Sequence, residues 1–140
     1  MPEMTPDEID ALLREPQIAV LSTANAKGRP EGSPVWFHYD GTAFRVLVHR
    51  DSRKARNVRE NPQVSVTIDT RSAPYRGIVF RGIARLSGPN PKFRRDLAHR
   101  YLGSETGERY LAATRAMDTE DALVTIDVKS SYSWDYSKGF

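Results

Sequence analysis

The chain has 140 residues, 39% hydrophobic and 28% charged, which suits a folded globular protein and excludes a disordered one. Its net charge of +3, carried mostly by arginine, suits an anionic partner or a solvated basic surface. The lack of cysteine excludes disulfides, thiol catalysis and cysteine metal sites, and no apolar run is long enough to span a membrane. With no basic-then-apolar leader either, the expectation is a single cytoplasmic domain, residues 1–140, with no membrane partner.

Thr5-Pro6-Asp7-Glu8 reads as a helix start, with threonine at the N-cap, proline at the first helical position and glutamate completing a capping box. Ile9, Leu12 and Leu13 form the apolar stripe and Pro16 ends it. A short buried strand is expected over Ile18–Thr23, followed by a turn at Asn25-Ala26-Lys27-Gly28. From Pro30 to Tyr39 the alternation predicts one extended segment, Val35, Phe37 and Tyr39 on one face and Pro34, Trp36 and His38 on the other. Pro30, Gly32 and Pro34 make its first half an edge, or leave amides free near a ligand. Asp40-Gly41 signals a hairpin, and Phe44, Val46 and Val48 alternate in the next strand.

The segment Arg50 to Pro62 is the most informative. Ser52 caps a short helix, Arg53 and Lys54 stand in its first turn, and Asn61-Pro62 stops it. A helix N-terminus has unpaired amides and a positive dipole end, so two cations there make a seat for phosphate. Arg56 and Asn57 lie one turn on, close to the same face. The competing reading is a solvated basic helix.

Val64, Val66 and Ile68 alternate in another strand, and Gly77–Leu86 is a long one in which Gly82 signals a bulge or bend. Asn90-Pro91 starts a helix carrying Phe93, Leu97 and Tyr101, with a connector at Gly103–Gly107 and a second short helix to about Met117. Leu123–Val128 is the last strand, followed by an aromatic tail at Tyr132, Trp134 and Tyr136. Together these predict a mainly β chain, a six-stranded antiparallel barrel with peripheral helices.

Catalytic side chains are not evident. His38, His49 and His99 fall in separate elements with no metal-ligand spacing, so no metal is expected. Neither a nucleophile elbow nor a P-loop or dinucleotide fingerprint occurs. No helix-turn-helix, zinc-finger or RNA-binding pattern accompanies the basic charge, so no nucleic-acid partner is expected. A binding site remains, with His49 and the Pro30–Trp36 segment bordering the basic helix. Trp36 serves there either as plain packing or as an aromatic wall.

The run Ser33-Pro34-Val35-Trp36-Phe37, then Asp40-Gly41, Ser52-Arg53-Lys54, Glu60-Asn61-Pro62 and Gly82-Ile83-Ala84-Arg85-Leu86 resembles the pyridoxamine 5'-phosphate oxidase-like superfamily, the split β-barrel flavin-binding proteins. The resemblance covers about Ile18 to Trp134. It implies that Arg53 and Lys54 hold the phosphate of FMN or of a deazaflavin, and Ser52 and Asn57, placed beside them by the cap and the helix spacing, join the candidate cofactor-binding set. It further implies that Ser33, Pro34, Val35 and Trp36 line the ring, and that Val48 and His49 lie beside the ribityl chain. Members are homodimers with cofactor sites at the interface; the partner's contribution is implied around Arg76 and Gly77, where the FMN oxidases typically carry glutamine. Pyridoxamine phosphate oxidases proper have a further C-terminal arginine-bearing motif. Here Tyr132-Ser133-Trp134-Asp135-Tyr136 stands instead, so vitamin B6 oxidation is not expected.

The pattern looks most like the short members that use coenzyme F420. It implies an F420H2-dependent reductase acting on an unsaturated small molecule, with the cofactor carrying the chemistry and no catalytic side chain. The alternatives are an FMN-binding oxidoreductase and a cofactor-binding protein with little turnover.

Overall fold

The computed structural model describes residues 2–139; Met1 and Phe140, the ends of the expected single domain, lie outside the described residues. The elements in chain order are α1 (Pro6–Arg14), β1 (Ala19–Ala24), β2 (Pro30–Val35), β3 (His38–Tyr39), β4 (Ala43–His49) and α2 (Arg53–Glu60). There follow β5 (Gln63–Asp69), β6 (Arg76–Ser87), α3 (Pro91–Ala113), α4 (Met117–Glu120), β7 (Asp121–Asp135) and a 3₁₀ turn at Tyr136–Lys138. Among the described residues, all seven strands belong to one sheet in the order β2-β1-β5-β6-β7-β4-β3, every pair antiparallel.

The sheet has seven strands where six were expected, because the extended segment Pro30–Tyr39 is two strands. Trp36 and Phe37 break it, and its halves lie on opposite edges, β2 beside β1 and β3 beside β4. Three Cα steps from Val35 to His38 span at most about 11 Å. Edges joined by so short a link must approach one another, so the sheet curls into a split barrel. The prolines of β2 are tolerated because that strand is an edge.

The alternation of β4 points Phe44, Val46 and Val48 into the barrel, each less than 5% exposed. Phe44 is the hub, with ring centroids 4.4 Å from Tyr39, 4.7 Å from Phe80 and 5.6 Å from Phe37. The expected irregularity occurs beside Gly82, where the β6–β7 register shifts between Arg81 and Gly82 and the extra residue, Lys129, stands on β7. A Cβ at Gly82 would lie 2.5 Å from the Asp127 carbonyl oxygen, so only glycine allows strands this close.

The helices close the barrel from outside. Thr5 and Glu8 form the expected capping box on α1. At the other end of α1, Arg100 donates to the carbonyls of Leu13, Arg14 and Glu15, satisfying acceptors that helix geometry leaves open. Tyr101 accepts from the Phe37 amide at 3.1 Å and donates to the Gln17 carbonyl at 2.6 Å, tying α3 to the point where β2 and β3 part. α3 is broken at Gly103, φ 79°, so the expected five-residue connector narrows to a single residue. No helix among the described residues is long and apolar enough to cross a membrane.

Candidate functional site

Beside the β2–β3 break a cavity of about 450 Å³ opens between the sheet and the α3–α4 layer. Pro34, Val35 and Trp36 form one wall, Lys54 reaches it from α2, and Leu97, Tyr110 and Met117 close it from α3 and α4. The sequence placed Pro34, Val35, Trp36 and Lys54 near a ligand, and the fold brings these four together.

Trp36 is held rigidly. Its ring stacks on Tyr101 at 5.0 Å with planes 6° apart and meets Tyr110 at 5.4 Å, tilted by 56°. One face of the indole is therefore occupied by Tyr101, and its role combines packing and wall, the two readings that the sequence left open.

Ser52 is the N-cap of α2, its Oγ accepting from the Ala55 amide at 3.2 Å. That bond leaves the amides of Arg53 and Lys54, the first two of the helix, without helical acceptors. Arg53 is 71% exposed and lies 3.5 Å from Glu31 on β2, an ion pair that a bound phosphate would have to outcompete. His49, at the end of β4, accepts from the Asp51 amide through Nδ1 and faces Glu120 through Nε2 at 3.2 Å. This bonding fixes the ring proton on Nε2 when the histidine is neutral. Ser33 does not line the cavity, yet its Oγ is buried with no hydrogen-bond partner. A lysine at a capped helix start, facing the wall that Pro34, Val35 and Trp36 form, fits a phosphorylated, ring-bearing cofactor.

Ser33, His49, Ser52 and Arg53 do not line the cavity, and three further predicted residues are engaged elsewhere in the fold. Asn57 is buried and donates from Nδ2 to Thr23 Oγ1 at 3.0 Å, clamping α2 to β1. At eight residues, α2 has room for a basic face and an inward face, and Asn57 falls on the second with Ala55 and Val58. Val48 points into the barrel core, which leaves only its backbone to meet a ligand. Gly77 lies between Asp69 and Trp134 in the sheet, where a Cβ would meet Trp134 Cζ2 at 2.6 Å; it does not line this cavity. Asn57→Ala should lower stability by about 1–3 kcal/mol, since Thr23 would lose its buried partner. Urea unfolding reads that loss, and a titration should show unchanged ligand affinity; weakened binding at undiminished stability would return Asn57 to the site.

The sequence reading missed Arg94 and Asp121, which also line the cavity. Arg94 is 4% exposed; Nη2 donates to Thr114 Oγ1 at 2.8 Å and to the Thr114 and Leu111 carbonyls, folding α3 back on itself. The readable signal was its position three residues before Leu97 and seven before Tyr101, a charge on an apolar stripe. Asp121 is 7% exposed, and burial pushes its carboxyl above the usual carboxylate range, opposed by the positive charges of Arg94 and His49. Nothing local marked it, because only the pairing of β4 with β7 sets it opposite His49.

The model of the family described as pyridoxamine 5'-phosphate oxidase matches residues 5–135. The chain belongs to the pyridoxamine 5'-phosphate oxidase family. A pyridoxine/pyridoxamine 5'-phosphate oxidase of Streptomyces avermitilis is 40% identical over 75 residues, 53% of this chain and 33% of that protein. The match thus spans about a third of the length of this curated relative. Among solved structures, one titled F420 reductase is 25% identical with a TM-score of 0.75, covering 94% of this chain and 98% of that one. The conserved hypothetical protein Rv2991 from Mycobacterium tuberculosis is also 25% identical, with a TM-score of 0.78 over 96% of this chain and 87% of its own. The family and the split-barrel fold expected from the sequence both hold.

Proposed function

We propose that the protein is an F420H2-dependent reductase that transfers a hydride to an unsaturated small organic substrate. One observation carries this reading: Lys54, from the first turn of a capped helix, shares a cavity with the Pro34–Trp36 wall. A phosphate seat beside an aromatic-backed, largely apolar wall suits a phosphorylated cofactor with a flat ring. Lys54, Arg53 and the α2 amides would hold the phosphate, and Pro34 to Trp36 would border the ring. When bound and reduced, the deazaflavin supplies the hydride. The chain's own part is to orient the ring against Trp36, exclude water behind Leu97 and Met117, and leave room for a substrate.

F420 is preferred to FMN because the resemblance to the F420 reductase structure runs nearly the full length of both chains. The FMN reading is supported by the 40% identity to a named oxidase, over a shorter stretch. The same proposal includes a cytoplasmic homodimer. The exposed Ile83 and Tyr132 on the β6–β7 face would meet the second copy there, and Arg76, whose Nε is buried without a partner, would reach its cofactor.

Titrating the purified protein with F420 and FMN side by side tests the cofactor. Micromolar or tighter F420 binding, with FMN weaker, is expected, followed by oxidation of reduced F420 on addition of enones, quinones or nitro compounds. Tighter FMN binding and yellow protein would replace F420 by FMN. Tight F420 binding with no oxidation by any of these compounds would leave a cofactor-binding protein without turnover.

A further inference from the structure

The cavity is roofed by a thinly anchored part of the chain, residues 104–120, the second half of α3 and the whole of α4. Within it Gly107 alone is buried, and α4 is four residues long with no capping side chain. At one end of this stretch stands Gly103, whose φ of 79° is one that other residues rarely adopt. A Cβ there would meet nothing within 4 Å, so the glycine serves the bend itself and not a close contact. At the other end the Glu120 carbonyl accepts from the Arg50 amide at 2.9 Å, and the chain enters β7. Between these ends the ties to the rest of the molecule are mostly polar. Glu108 faces His99 at 2.8 Å and Arg95 at 3.1 Å, both in the first half of α3. Tyr110 meets Trp36 at a tilt, and it and Met117 close the cavity.

Arg94 is the strongest of these ties and an incomplete one. Its Nη2 donates across the fold of α3 to Thr114 and Leu111, while Nε and Nη1 are buried without a hydrogen-bond partner. Unsatisfied donors on a buried cation penalise the closed position, and water would satisfy them on opening. Exposed pairs such as those of Glu108 add little to the closed side. We infer that residues 104–120 are a flap that swings about Gly103 and the Glu120 junction to admit ligands, with Tyr110 and Met117 on its inner face and Glu108 as its latch. Tyr101 belongs to the first half of α3 and keeps its stack on Trp36 and its bonds to Phe37 and Gln17, so the indole wall survives opening. The flap deepens the reductase reading by setting how substrate enters, and it rests on that reading only for the identity of the ligand. Its test uses no cofactor, so either can fail without the other.

Because the chain has no cysteine of its own, single thiols can report the opening. Leu97→Cys places one under the flap, Val46→Cys one in the barrel core, and Ala112→Cys one on the exposed side of the flap. Alkylation of each full-length variant by iodoacetamide, followed by mass, measures how often the site is uncovered. The rate at position 97 should be about tenfold or more below that at 112, and about a hundredfold or more above that at 46, which only global unfolding exposes. Low urea should accelerate position 46 and leave position 97 unchanged, since a swinging flap exposes little new surface. Adding Glu108→Ala to Leu97→Cys should raise its rate by about threefold, the worth of an exposed ion-pair cluster. Should Leu97→Cys fail to fold, Val35→Cys, on the facing wall and 8% exposed, carries the same readings. A rate at 97 equal to that at 46 would mean that the roof opens only with the whole fold, and would overturn the flap. A rate equal to that at 112 would mean a permanently open cavity and overturn it as well. No response to Glu108→Ala would overturn the latch.

Discussion

Replacing Arg53 and Lys54 together by alanine should weaken F420 binding by roughly a hundredfold or more while leaving the fold intact. The two residues occupy the first turn of α2, where the unpaired amides already favour an anion. A hydrogen bond from a charged group to a phosphate contributes about 1.5–3 kcal/mol, or roughly ten- to a hundredfold in affinity. The shares will be unequal. Lys54 lines the cavity, whereas Arg53 is exposed and must first leave Glu31, so Lys54→Ala should account for most of the loss. Stability should change little, because neither side chain is buried. Isothermal titration of the single and double variants measures this, and raising the salt concentration should shrink the difference. A folded double variant with wild-type affinity would remove the phosphate from this helix and leave α2 as the solvated basic face that its charge also allows.

Phe44→Ala should cost about 3–5 kcal/mol of stability, as expected for emptying a fully buried aromatic position in the barrel core. Phe44 is fully buried and touches Tyr39, Phe37 and Phe80, so its removal leaves a void shared by β3, β4 and β6. These strands cannot collapse inward, since β4 is paired with both β3 and β7 and the sheet is already curled. For a chain of this size, that loss should lower the melting temperature by about ten degrees or more. A change below about 1 kcal/mol would mean that the barrel interior relaxes freely, contrary to the close packing of protein cores. Because β4 leads directly into Ser52 and α2, the variant should also loosen ligand binding, which a titration below its melting temperature would detect.

Where neighbours along the chain decide the outcome, the sequence was legible. The Thr5–Glu8 capping box, the Ser52 cap, the inward set Phe44, Val46 and Val48, and the irregularity beside Gly82 follow from local rules of hydrogen bonding, alternation and steric freedom. The family was legible as well, because its residues stand close together in short runs. Long-range pairing was not. Val35, Phe37 and Tyr39 alternate as one strand would, and only the closing of the sheet assigns β2 and β3 to opposite edges. Asn57 lies within reach of the basic face by spacing alone, and burial against Thr23 turns it inward.

By itself, then, the sequence determined a capped basic helix beside an aromatic strand, since capping and alternation act over a few residues. Only the tertiary structure decided that Lys54 and Trp36 share a cavity with Arg94 and Asp121. Those last two come from a helix and a strand that meet the others through the folding of α3 and the pairing of β7 with β4. Contacts between residues so far apart in the chain are set by which surfaces must be buried together, and no local pattern records them.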